Sequence, residues 1–285
     1  MRGAKGSGIF VGPADIGRSY DRVSAQYEAY FLQTMHQYND QLLEALLARL
    51  SETEPMILDL ACGTGYNSVY VRSHLLQATL ILTDISAGML AKAKERVTGP
   101  ALFYQADMLE GLRPFPAGSF DVIICCWAIK YHRPHAVIAQ CARLLRPGGY
   151  LAVMLNTKDT LPEIRRAYAR LLSRRWHQVK KVMLPLPNPL NCRTFDGWFR
   201  RAGLMRCVSD QGEQRFDFAD PGQAVEFVIS TGALAGYDVM LDLHDELLQA
   251  QLADILARQG QCQVTHRFVW GVYQKPELAL KRRTL

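Results

Sequence analysis

At 285 residues the chain has room for one large domain or two small ones. Hydrophobic residues make up 49% and charged residues 21%, which excludes a largely disordered or collagen-like chain and leaves a core that needs no disulfide or metal staple. The net charge of +6 suits an acidic partner or solubility alone, and the arginines are not interleaved with aromatics, so nucleic acid is not the expected partner.

In chain order, residues 1–12 are small, basic and glycine-rich. From 15 to 50 the pattern is helical, with Leu42, Leu43, Leu46, Leu47 and Leu50 on one face, and a polar break follows at 51–55. Strands are expected at 56–60, 79–84, 101–105, 120–126 and 150–155. Helices are expected at 67–76, 87–97 and 135–145, the last stopped by Arg146-Pro147-Gly148-Gly149. Past Asn156 the alternation weakens. A basic helix at 161–176 precedes a loop carrying Pro185, Pro187 and Pro189, then a short helix at 194–202. Strands at 205–218 and 261–274 flank a mostly helical stretch, 221–259.

The expected fold is α/β. It is a doubly wound, mostly parallel seven-stranded sheet of Rossmann-like type, with N-terminal helices and a helical lid between the last two strands. Residues 1–50 form a tail and helical cap, and 51–285 one domain whose ligand half is 55–156. The seven cysteines are odd in number and form no CxxC pair, so buried reduced thiols are expected rather than disulfides or zinc. His132 and His135 are separated by Pro134 and lack further partners, so no metal is expected. The longest apolar run, 122–129, is well short of the ~20 residues of a membrane span, and the expected setting is the cytoplasm.

The chemistry is concentrated in residues 57–65, Ile-Leu-Asp-Leu-Ala-Cys-Gly-Thr-Gly, where an apolar strand ends in a turn of small residues and opens a helix. Small residues let the backbone approach a ligand, and such sheets bind ligands at the carboxyl ends of their strands. A phosphate loop would need Gly-Lys-Ser/Thr, which is absent. The dinucleotide pattern G-x-G-x-x-G/A fails at Ser68, and Asp59 suits a cationic amine better than a pyrophosphate. Asp84, ending the second strand, can accept from both ribose hydroxyls, and Asp107, after the third, from an adenine amino group. An amine, a ribose and an adenine together describe S-adenosylmethionine. Helix capping and turn formation are the competing roles for the three carboxylates.

Five pieces in order then resemble the class I S-adenosylmethionine-dependent methyltransferases: Asp59-Leu-Ala-Cys-Gly-Thr-Gly, Asp84-Ile-Ser-Ala-Gly-Met-Leu, Gln105-Ala-Asp107, Phe115-Pro-Ala-Gly-Ser-Phe-Asp-Val and Leu145-Arg-Pro-Gly-Gly. One departure is Ala61, where many members carry glycine. The resemblance implies that Ala61, Gly63 and Gly65 line the methionine portion, and that Asp84 and Ile85 border the ribose and adenine with Met89 packed nearby. Ala106, Asp107 and Met108 would flank the adenine, and Cys125 to Trp127 would approach the sulfonium. Tyr20 and Tyr27 match an aromatic-bearing N-terminal helix, Tyr27 being the residue that closes over the cofactor. Segments 161–168, 227–236 and 265–273 are similar to the malonyl-acyl-carrier-protein O-methyltransferases of biotin synthesis, although Lys130-Tyr131-His132 stands where that branch usually has a glutamine–aromatic pair.

The expected activity is methyl transfer to a small-molecule or carrier-tethered acceptor. The alternatives are a cofactor-binding member without methyl transfer and an NAD-dependent oxidoreductase, the latter disfavoured by Ser68 and Asp59. A carboxylate acceptor needs a cationic anchor, whereas a hydroxyl or carbon acceptor needs a base. Lys130 is the candidate anchor and His132 the candidate base, with a solvated loop as the competing reading, and Tyr27, closing over the cofactor, is the third catalytic candidate. The basic stretch from Arg165 to Lys181 reads as a solvated helix face before it reads as a docking surface for an acidic carrier or RNA.

Overall fold

The computed structural model describes residues 8–27 and 35–277. Within them, the helical stretch expected over 15–50 contains two helices, α1 (Pro13–Val23) and α2 (His36–Leu47). Leu42, Leu43 and Leu46 of α2 are fully buried in the core on one face of the sheet. The remainder of that stretch at 28–34, and residues 1–7, lie outside the described residues.

Strands β1 (Met56–Leu60), β2 (Thr79–Asp84), β3 (Ala101–Gln105) and β4 (Phe120–Cys126) fall where the apolar runs place them. The runs of β1, β2 and β4 are continuous because both sheet faces are covered. β3 is an edge strand and leaves Leu102 and Tyr104 exposed. Strands β5 (Leu145–Asn156), β6 (Met205–Asp217) and β7 (Gln263–Gln274) complete a seven-stranded sheet of order β3-β2-β1-β4-β5-β7-β6. β1 to β5 are parallel, and β7 runs antiparallel to both of its neighbours. The order turns at β1, which pairs with both β2 and β4, so the crevice for a ligand opens beyond their carboxyl ends.

The helices are α3 (Tyr66–His74), α4 (Ala87–Arg96), α5 (Met108–Leu112), α6 (Pro134–Leu144), α7 (Pro162–Arg174), α8 (Cys192–Arg201), α9 (Pro221–Ser230), α10 (Tyr237–Met240) and α11 (Glu246–Arg258). Two differences from the sequence reading have local causes. Arg146-Pro147-Gly148-Gly149 ends α6 but does not delay the strand: Leu145 already pairs with Phe120, and the ladder shifts register and resumes at Tyr150 opposite Val122. The short helix α5 was not expected, and it forms because the Asp107 carboxylate accepts from the Leu109 N–H.

The segment between β6 and β7 builds a third core. Val225 and Val228 of α9 and Leu252 and Ile255 of α11 pack with Ile164 and Leu171 of α7. α1 is tied beneath it: Lys181 Nζ donates to both Asp15 oxygens at 2.8 Å, and Ser19 Oγ donates to Asp238 Oδ1 at 2.7 Å. Lys181 thus leaves the basic stretch for a structural ion pair, and Arg175 donates to Gln251 of α11. Arg165, Arg166, Arg170, Arg174 and Lys180 are exposed.

Candidate active site

The carboxyl ends of β1, β2 and β4 and the loop after β3 border an open cavity. Its walls include Ala61 and Gly63 after β1, Asp84, Ile85 and Met89 after β2, and Ala106, Asp107 and Met108 after β3. Tyr20 and Tyr27 close it from the N-terminal side, and Trp127 and His132 from the end of β4. Thr83, Cys126 and Tyr131 also line it. Tyr131 stands out least in sequence terms, because only folding shows which way the turn after β4 faces.

The turn after β1 is held in left-handed backbone at Ala61 (φ 57°), Gly63 (φ 54°) and Gly65 (φ 82°). Alanine is strained there, since its Cβ crowds the following carbonyl. Ala61→Gly is therefore expected to stabilise the protein by about 1 kcal/mol, measured by urea unfolding. An unchanged or lower midpoint would show that the turn pays nothing for its alanine.

Asp84 anchors this turn. Its Oδ2 accepts from the Gly63 N–H and its Oδ1 from the Ser86 N–H, both at 2.9 Å. Burial pushes its pKa up to about 6, against the opposing pull of these two N–H donors. Asp59, 1% exposed, lies behind the turn rather than on the cavity wall and accepts from Ser68 Oγ at 2.7 Å. Ser68 thus has a use of its own at the position where a dinucleotide motif needs glycine. Burial also pushes Asp59 up to about 6, opposed by the Ser68 and Asn67 side chains. The same network reaches the end of β4: Asn39 Nδ2 donates to Asn67 Oδ1 at 2.7 Å, and Trp127 Nε1 donates to Asn39 Oδ1 at 2.9 Å. Trp127 itself sits at φ 63°, a strained setting for a bulky side chain.

Besides Asp59, two expected residues stand elsewhere. Gly65 is the N-cap of α3 and packs on Ala93 and Val97, on neither cavity wall. Cys125 points to the opposite sheet face, among Ile123, Ile129 and Val153, while its neighbour Cys126 faces the cavity; strand alternation decides between them.

Of the three expected catalytic groups Tyr27 is a cavity wall, and the turn after β4 assigns distinct places to the other two. His132 Nε2 lies 3.4 Å from Asp107 Oδ1, and its Nδ1 accepts from the Arg133 N–H at 2.9 Å. In this arrangement neither ring nitrogen offers a free lone pair to an acceptor. Lys130 is not a solvated loop residue. It is 6% exposed in a 3₁₀ turn, Ile129–Tyr131, with its ammonium 5.0 Å from the Tyr131 ring centroid, and burial pulls its pKa down to about 7.

Lys130 faces a second, smaller cavity, also lined by Asn156, Phe227, Thr231 and His266. Tyr20, Tyr27 and Trp127 are walls of both cavities. Tyr20 holds this partition through an edge contact with Tyr27 (centroids 6.2 Å apart) and a hydroxyl hydrogen bond with Tyr131 (3.1 Å). Asn156 and His266 carry no motif. They meet Lys130 because β5 and β7 are neighbours and place these positions at one end of the sheet. Among the described residues no cluster of three His, Cys, Asp or Glu could hold a metal, and no helix is long and apolar enough to cross a membrane.

Residues 58–153 match a family model described as a methyltransferase domain. A biotin biosynthesis bifunctional protein BioCD of Bordetella avium is 28% identical over 277 residues; the match covers 94% of this chain and 54% of that protein, so the chain spans about half its length. A ubiquinone biosynthesis O-methyltransferase of Xanthomonas axonopodis pv. citri is 30% identical over 178 residues, covering 60% of this chain and 71% of that protein. A malonyl-[acyl-carrier protein] O-methyltransferase of a Paenibacillus species is 25% identical over 239 residues, covering 80% and 84%.

Two solved structures share the fold. The [4+2]-cyclase SpnF superposes with TM-score 0.61 at 17% identity, covering 95% of this chain and 100% of that one. A Haemonchus contortus N-methyltransferase in complex with S-adenosylhomocysteine has TM-score 0.55 at 16% identity, covering 92% and 59%. The chain belongs to the S-adenosylmethionine-dependent methyltransferases.

Proposed function

We propose that the first cavity holds S-adenosylmethionine and that the acceptor, a small molecule or a carrier-tethered acid, enters the second cavity and is methylated on oxygen. The observation that carries this reading is the pair of cavities sharing Tyr20, Tyr27 and Trp127 as walls. The first cavity suits the cofactor: it offers a buried acceptor at Asp84, apolar surfaces at Ile85, Met89 and Met108, and free space over the Gly63 backbone. Asp84 would accept from the ribose hydroxyls, Asp107 and Met108 would flank the adenine, and Ala61 and Gly63 would border the methionine portion. Asp59 would act from behind the turn, where it holds the turn in shape and contributes negative charge toward the cationic end of the cofactor.

When bound, the cofactor supplies an electrophilic methyl on a sulfonium. The chain's own residues then have positional tasks: Tyr20, Tyr27 and Trp127 exclude water and align the acceptor, and α9, α10 and α11 act as a lid over it. Oxygen as the accepting atom is supported by the O-methyltransferases among the relatives, and a carrier-tethered acid by the malonyl-[acyl-carrier protein] enzyme. The proposed setting is the cytoplasm.

Calorimetry with S-adenosylmethionine, S-adenosylhomocysteine and NAD, followed by mass spectrometry of a panel of acids, phenols and amines, tests this reading. Binding of the two sulfur compounds and a methylated oxygen product are expected. Methylation confined to amines would overturn the acceptor class, and binding of NAD alone the cofactor assignment.

A further inference from the structure

The second cavity contains three enclosed polar side chains that the protein leaves unanswered. Lys130, Asn156 and His266 are each 6% exposed. Neither ring nitrogen of His266 has a hydrogen-bond partner, and neither does Asn156 Oδ1. Among the described residues Lys130 Nζ forms no hydrogen bond or ion pair; it lies 5.0 Å from the centroid of the Tyr131 ring and close enough to His266 for its charge to be felt there. Burying an unpaired ammonium and an unpaired imidazole is costly, and such groups persist where a ligand completes them. The rest of the lining is mostly apolar or aromatic, with Phe227, Ala233 and Met35 beside the rings of Tyr20, Tyr27 and Trp127, and the Thr231 hydroxyl there is already bonded to the Phe227 carbonyl.

We propose that Lys130, Asn156 and His266 form a receptor for an anionic oxygen on an otherwise apolar methyl acceptor. This rests on the second cavity being the acceptor site. The sign of the charge follows from the lining: among the described residues no carboxylate faces this cavity, so a cationic amine would meet the Lys130 ammonium with nothing among them to balance either. Burial and the nearby Lys130 charge keep His266 neutral, its pKa lowered to about 3, so it offers one N–H without adding a second positive charge. The chemistry is consistent with this charge. An anionic oxygen forms the new C–O bond with its own lone pair while the C–S bond breaks and its pair stays on sulfur. No proton moves and no base is needed. The methylated product is neutral, loses its attraction to Lys130 and leaves.

The test uses the full chain, titrated with and without S-adenosylhomocysteine, and three probes: hexanoate, its neutral counterpart hexanamide, and 4-nitrophenol. Hexanoate is expected to bind about tenfold or more tighter than hexanamide. Lys130→Met should reduce that preference to within about twofold while leaving S-adenosylhomocysteine affinity unchanged. Asn156→Asp, which sets a second charge in the cavity, should weaken hexanoate by about tenfold and spare hexanamide, and it guards against a Lys130 variant that fails to fold. A yellow, ionised form of bound 4-nitrophenol extends the site to phenolates; a colourless form confines it to carboxylates. Equal binding of hexanoate and hexanamide, binding of neither, or a preference that survives both substitutions would overturn the proposal. S-adenosylhomocysteine titrated alone reports separately on the cofactor cavity.

Discussion

Asp84→Ala is expected to lower the affinity for S-adenosylhomocysteine by about a hundredfold or more, because hydrogen bonds to a charged acceptor are worth about 1.5–3 kcal/mol each and two ribose hydroxyls would lose theirs. The same substitution leaves the Gly63 and Ser86 N–H groups without their acceptor, so the turn loosens as well. A pH series separates the two effects. Burial raises Asp84 from 3.8 to about 6 in the folded protein. A carboxyl raised in this way favours folding most while protonated: its contribution is fully present below the unfolded value and is lost as pH rises through about 6. Between about pH 4 and 8 the wild type should therefore lose roughly 3 kcal/mol of unfolding free energy relative to Asp84→Ala, whatever the constant offset from the broken turn. Cofactor affinity should move the other way and weaken as pH falls through about 6, because the ionised carboxylate is the better acceptor. Chemical unfolding and calorimetry at matched pH values measure both. A variant that retains cofactor affinity within about twofold would remove Asp84 from the ribose role.

The ionised Asp84 is thus a stability cost carried at a place where the fold could use a neutral side chain. Asp59 has the same character, raised to about 6 for the same reason. Two buried carboxylates on adjacent parallel strands, Asp84 bonded to the turn after β1 and Asp59 to Ser68 in the helix that follows it, leave unfavourable electrostatics beside the first cavity. Local cost placed beside the ligand is the pattern expected of a binding site.

The first half of the chain was legible because β1, β2 and β4 are buried on both faces, and these strands and the edge strand β3 are short runs set off by turns and helices. Met56–Leu60, Thr79–Asp84, Ala101–Gln105 and Phe120–Cys126 need no long-range information to be read. The side of a strand from which a residue acts is less visible in a continuous apolar run. Cys125 and Cys126 are chemically identical neighbours, and only pairing with β1 and β5 decides which one faces the cavity. The second cavity was illegible for a different reason. Lys130 follows β4, Asn156 ends β5, and His266 lies on β7, the one strand that runs against its neighbours. No spacing rule joins residues so far apart. A histidine in an apolar strand reads as packing until the sheet order puts it opposite a lysine.

Gly65→Ala and Gly63→Ala should fail in opposite ways, although both glycines belong to one motif. At Gly65 φ is +82°, and an added Cβ would lie 3.0 Å from Val97 Cγ2, 3.1 Å from Ala93 Cβ and 3.2 Å from Ala93 Cα. The left-handed backbone costs about 1–2 kcal/mol and the crowding between α3 and α4 about 1–3 more. A loss of about 2–5 kcal/mol corresponds to a melting temperature roughly 5–10 °C lower for a chain of this size. Cofactor affinity in the fraction that folds should change little, since Gly65 forms no wall of the cavity. At Gly63 φ is +54° and nothing lies within 4 Å of an added Cβ. Only the backbone cost of about 1–2 kcal/mol applies to folding, while the methyl stands at the cavity wall and should weaken S-adenosylhomocysteine by about tenfold. Thermal unfolding and calorimetry on the two variants give a crossed pattern if the first glycine serves the ligand and the second serves the packing of α3 on α4. A Gly65→Ala protein that melts normally but binds poorly would return Gly65 to the cofactor, which is the role its place in the motif suggests.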